Sequence, residues 1–89
     1  MEPIPSKSIN NVVLTSLLVS GGTSVPSAVY AAVGSVYPSL ARDKDLDYKV
    51  RWCRANLAAR GLVSSKIRGE WSLTPKGRRA ARALVSSIA

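Results

Sequence analysis

Apolar residues recur at helical spacing in four stretches of this 89-residue chain and fall into short β-type runs in a fifth. Ile9, Val12, Val13 and Leu17 trace one face of a first helix, which Ser6 or Ser8 can cap and Gly21-Gly22 ends. The preceding Met1–Pro5 carries two prolines and reads as an arm without regular structure. A second helix is expected from Ser24-Val25-Pro26, since proline suits a first turn. Val29, Ala32, Val33 and Val36 would face inward, with Tyr30 and Tyr37 to the side and Gly34 weakening the last turn. Pro38 closes that segment, and Ser39–Asp45 reads as a polar connection.

The third helix should begin within Asp43–Asp47, where aspartates favour the positive end of the helix dipole. Leu46, Val50, Cys53 and Leu57 fall on one stripe, and Gly61 is the C-terminal stop. Tyr48, Trp52, Ala55 and Ala59 lie opposite, flanked by Arg51, with Lys49, Arg54 and Arg60 on the borders. Leu62–Ile67 and Glu70–Leu73 read as two strands joined by a tight turn at Arg68-Gly69. Thr74 is a good N-cap and Pro75 a suitable first residue for a last helix. That helix would bury Ala81, Leu84, Val85 and Ile88 and turn Arg78, Arg79 and Arg82 to solvent.

Charge sharpens this picture. From Met1 to Tyr48 there are three basic and four acidic residues; from Lys49 onward there are ten basic residues and one acid, Glu70. Such a concentration of cations on one half is the electrostatic footprint of a polyanion binder. The length suits one small domain. With one cysteine, no histidine and few carboxylates, neither a zinc site nor a Ser-His or Cys-His nucleophile can be assembled. No metal or cofactor is expected, and the lone Cys53 fits a reducing compartment. The most apolar run, Val12–Val19, is too short to span a bilayer and lacks a basic leader, so a cytoplasmic chain with no membrane partner is expected.

Helix, helix, helix, two-stranded wing and helix is the plan of a winged helix-turn-helix domain, mainly α with a small β-hairpin. The wording of the second half goes further. Val50-x-Trp52-Cys53-Arg54-x-x-Leu57-x-x-x-Gly61-Leu62-Val63, then Arg68-Gly69-x-Trp71-x-Leu73-Thr74-Pro75-x-Gly77, resembles the amino-terminal domain of Mrr-type restriction endonucleases. The match covers roughly the last forty residues, and the first forty only by helix order. The resemblance implies a double-stranded DNA-binding module, belonging to a restriction-type system and suited to methylated or otherwise modified DNA, with a nuclease domain in cis in the parent protein. The acids of this chain (Glu2, Glu70 and the aspartates before the third helix) do not supply the clustered carboxylates that Mg²⁺ chemistry needs, so a binder rather than an enzyme is expected.

On this reading the DNA-binding residues are Tyr48, Lys49, Arg51, Trp52, Arg54, Lys66, Arg68, Lys76 and Arg78. Lys49 and Arg51 lie on the first turns of the third helix, where an arginine can grip guanine through two hydrogen bonds. Trp52 could stack on a base or cover a methyl group, but packing against the wing beside Trp71 is the expectation, because tryptophan is rarely left exposed. Lys66 and Arg68 suit flanking phosphates or the minor groove, or else simply blunt an edge strand. Lys76, Arg78 and Arg79 oppose the dipole of the last helix, which makes a purely structural role less natural, with an external anion and ordinary solubility as equal alternatives. Cys53 reads as a small buried hydrophobe. Two alternatives stand beside this one: a free-standing transcription regulator, and a protein-docking or dimerisation unit built on the apolar first helices.

Overall fold

A computed structural model of the chain describes residues 6–67 and 69–88. The elements run α1 (Ser6–Val19), β1 (Thr23–Ser24), α2 (Pro26–Val36), α3 (Pro38–Ala41), α4 (Leu46–Ala59), β2 (Val63–Ser64), β3 (Trp71–Leu73) and α5 (Pro75–Ile88). The fold is mainly helical with a small antiparallel sheet of order β1-β3-β2. The expected arm, Met1–Pro5, and the turn residue Arg68 lie outside the described residues.

Four expectations need correction. The sheet has three strands, not two: Thr23 and Ser24 pair with Ser72 and Trp71, the Thr23 and Ser72 hydroxyls 2.8 Å apart. Two residues are too few to raise a period-2 signal, so the stretch after Gly22 gave no warning of a strand. The other two strands are shorter than expected, with Val63–Ser64 paired to Leu73–Ser72 and a six-residue loop, 65–70, between them. Pro38 begins a short helix rather than a polar connection, because Leu40 is buried in the core and pins it. Lastly, Val36 and Val85 are exposed, at 55% and 42%, where both were expected inside. The Ile88 side chain lies outside the described residues.

The core forms as the spacing predicts. Ile9, Val13 and Leu17 of α1, Val29 and Val33 of α2, Val50, Cys53 and Leu57 of α4 and Ala81 of α5 are buried together with Trp71 and Leu73 of β3. Leu14 joins them, and Val12, Leu46 and Leu84 pack against them half-buried.

One junction sets how the second half is assembled. Gly61 takes φ +74° after α4, and Leu62 N donates to Leu57 O at 2.9 Å, closing the helix in a glycine-dependent turn. The Thr74 hydroxyl accepts from Gly77 N at 3.0 Å, capping α5, and donates to Gly61 O at 2.6 Å. Thr74 N reaches Leu62 O at 3.1 Å. Helix α5 approaches so closely that a Cβ on Gly77 would stand 1.9 Å from the Leu62 carbonyl oxygen. Thr74-Pro75-x-Gly77 therefore clips the end of α4 to the start of α5.

Thr74→Val should cost about 1–2 kcal/mol through the lost cap and the unpaired Gly61 carbonyl. Gly77→Ala should cost more, since backbone must move. Urea unfolding of both variants measures this, and a Gly77→Ala protein as stable as the parent would contradict the close approach.

Candidate nucleic-acid interface

Helix α4 carries Val50, Cys53 and Leu57 into the core, so the opposite ridge must face away from the protein. Burial shifts the Cys53 thiol up, in keeping with an inert core position. On the outward ridge Tyr48 is 69% exposed and Trp52 59%, with Ala55 and Ala59 exposed beyond them. The expected packing of Trp52 against the hairpin is thus corrected. The hairpin tryptophan, Trp71, meets Tyr30 edge-on at 5.9 Å and carries the Arg54 guanidinium over its face at 5.9 Å. Those two side chains occupy the place expected for Trp52.

The cations of α4 are held, each by a different neighbour. Arg51 Nε donates to the Tyr30 hydroxyl at 3.1 Å, which raises the guanidinium pKa further. Tyr30 was missed as an anchor because it sits on another helix, and single-chain periodicity carries no cross-helix distances. Arg54 is half-buried, with Nη1 donating to Ser65 Oγ at 3.4 Å and Nε lacking a hydrogen-bond partner. Its charge rests on the Trp71 ring, so it braces the hairpin against α4. Lys49 pairs with Asp43 just before the helix.

Of the three aspartates expected to cap this helix, Asp45 stands at the N-cap position but its side chain makes no cap, and Asp43 forms its bonds just before the helix. One Asp43 oxygen accepts from Lys49 Nζ and the other from Asp45 N at 2.8 Å. The Lys49 bond, then the Asp45 N–H, hold the Asp43 carboxyl below the ordinary aspartate value.

On the hairpin loop Lys66 and Ile67 are exposed, and Glu70 N bonds Ile67 O at 3.1 Å to close the turn. Arg68, expected at this tip, lies outside the described residues. On α5, Lys76 Nζ donates to Arg60 O at 3.2 Å and Arg78 Nη2 to Gly21 O at 3.3 Å. The first contact places a cation on the C-cap carbonyl of α4, a favourable dipole interaction that offsets the unfavourable position on α5 itself. Both side chains thus have internal partners that the sequence did not disclose. Arg60, on the border of the α4 stripe, is exposed.

The structure therefore brings Tyr48, Lys49, Arg51 and Trp52 together on the outer surface of α4, and sets Lys66 apart on the hairpin loop. A second face differs in kind. An open groove of about 720 Å³ runs between α1 and α2, lined by Val12, Thr15, Val19, Ala32, Val36 and Leu84 among others, with no charged side chain in its lining. Among the described residues no group of acids, cysteine or histidine could hold a metal ion, and no helix is long and apolar enough to cross a membrane.

Compared with protein-family models, curated proteins and solved structures, the chain matches none of them.

The Asp43 geometry has a pH consequence. A carboxylate held below its unfolded value stabilises the fold above about pH 4, and that contribution is lost as the pH falls through the lower folded value. Asp43→Asn should therefore melt below the parent at neutral pH, with the gap closing in acid. An equal gap at both pH values would contradict the pairing.

Proposed function

We propose that this chain is a winged-helix domain that binds double-stranded DNA. Helix α4 enters the major groove and the β2–β3 hairpin acts as the wing on the adjacent backbone or minor groove. The observation that carries the proposal is the outward surface of α4: an exposed aromatic ridge, bordered by Arg51 on one side and by Lys49 and Arg60 on the other, in the half of the chain with ten basic residues and one acid. An α-helix fits a B-DNA major groove, about 12 Å wide, with cations on its flanks meeting the phosphates of the two strands. The element order supports the same plan, with two helices, a short linking helix and α4 followed by a hairpin and a last helix.

Binding begins with electrostatic capture. Lys49, Arg51, Arg60, Lys66 and Arg68 supply phosphate contacts. Lys76 and Arg78 lie outside the ridge and support the scaffold first, with their charge adding to the field. Arg54 acts indirectly, by fixing the hairpin to α4. The resemblance to Mrr-type amino-terminal domains supports a role in choosing target DNA, modified bases included, for a nuclease domain in cis. The cytoplasm is the compartment this reading assigns.

A second reading, a dimerisation module, draws on the uncharged groove between α1 and α2. Sedimentation over a wide concentration range separates the two, because a protein that stays monomeric while binding duplexes has no need of the groove.

If about five phosphates are neutralised, log K should fall with log salt at a slope of roughly −4 to −5. Lys66→Ala should weaken all duplexes alike and reduce the slope by about one. Fluorescence anisotropy of a labelled duplex across a salt series measures both, and a slope near zero removes the proposal.

A further inference from the structure

The ridge of α4 has a composition that a general phosphate binder does not require. At about 100° per residue, Tyr48, Ala55, Ala59 and Trp52 fall within a narrow arc centred opposite the Val50–Cys53–Leu57 stripe. Arg51 lies to one side of that arc and Lys49, Asn56 and Arg60 to the other. The fractional exposures agree: the four ridge residues are exposed, and three of them offer almost nothing but carbon surface. The side chains able to make bidentate hydrogen bonds to a base are off the ridge or engaged elsewhere. Arg51 is bonded to Tyr30 and Arg54 is folded over Trp71. The crest that would lie deepest in a groove is therefore apolar.

In the major groove the apolar feature is the C5-methyl group of thymine, and it is contacted by alanine and aromatic side chains. Trp52 is not alone: with Tyr48, Ala55 and Ala59 it makes a contiguous exposed apolar patch rimmed by polar residues, the kind of surface that marks a binding site. A row of thymine methyls would cover it while the flanking cations reach the phosphates on each side. We infer that Trp52 and Tyr48, with Ala55 between the flanks, select thymine-bearing steps by contact with their C5-methyl groups, and that Arg51 holds the backbone instead of reading guanine. This rests on the proposal that α4 enters duplex DNA. Charge complementarity decides the occupant in favour of DNA over a protein, since Arg51 on one side and Arg60 on the other border the ridge, with Lys49 beside Arg60 able to exchange Asp43 for a phosphate.

The test compares two duplexes that differ only in those methyl groups, an alternating dA·dT 24-mer and the same 24-mer with deoxyuridine for thymidine. Removing one buried methyl-sized group is expected to weaken binding about fourfold, and more if several are covered. The parent protein should prefer the thymine duplex by at least that factor. Trp52→Ala, an exposed position that leaves the core intact, should lose most of the preference and keep its salt dependence. Tyr48→Ala provides a second variant, expected to narrow the preference. Equal affinity of the parent for the two duplexes, with salt-sensitive binding retained, overturns the methyl reader and leaves the DNA-binding proposal standing. Absence of binding to either duplex at low salt overturns both, as would burial of Trp52 by a protein partner in the absence of DNA.

Discussion

The Thr74 hydroxyl, between Gly61 O at 2.6 Å and Gly77 N at 3.0 Å, is the contact on which the second half of the molecule depends. It joins two helix ends at once, taking the Gly61 carbonyl in the turn just beyond α4 and an N–H that α5 leaves unpaired. Without it each terminus would need its own partner. Gly77 completes the joint because only a residue with no Cβ lets α5 lie against the Leu62 carbonyl. Lys76 adds a third link by donating to Arg60 O. The chain between these helix ends is the hairpin, so fixing the joint fixes where β2 and β3 stand relative to α4. Arg54 braces the same hairpin from the other side, with its guanidinium over Trp71 and its Nη1 toward Ser65.

That joint separates two surfaces of different chemistry. On one, α4 and the hairpin loop present aromatic and cationic side chains. On the other, α1 and α2 form a groove without a charged lining residue. A strongly basic domain gains nothing in folding from clustering its cations, because like charges repel. Their concentration beside an exposed Trp52 and Tyr48 makes sense as a surface shaped for a polyanion, which is the basis of the proposed function. The cations of α4 are also not loose. Tyr30 holds Arg51, which lowers the rotamer entropy to be lost on binding, whereas Lys49 must exchange its Asp43 partner for a phosphate.

Much of this was legible in the sequence because it follows from local rules. The α4 stripe, the Gly61 stop and the Thr74-Pro75 helix start all depend on residues within a turn or two of each other. Ile9, Val13 and Leu17 declared the buried face of α1 in the same way. What escaped depends on distance through space. Strand β1 exists because Thr23 and Ser24 meet β3 some fifty residues later, and no two-residue run can announce that. Helix α3 forms because the core has room for Leu40. Trp52 was expected to pack against the wing on average behaviour, yet Tyr30 and Arg54 already cover Trp71, and Trp52 stays exposed. The structural bonds of Lys76 and Arg78 likewise join elements that are remote along the chain.

The most direct test of the central claim, that α4 and the hairpin form the DNA-binding surface, is an amide-resolved NMR titration with a double-stranded oligonucleotide at low salt. The account predicts shift changes concentrated in residues 48–60 and 65–70, with the groove residues of α1 and α2 silent. Changes confined to the groove face, or none at all, would contradict it.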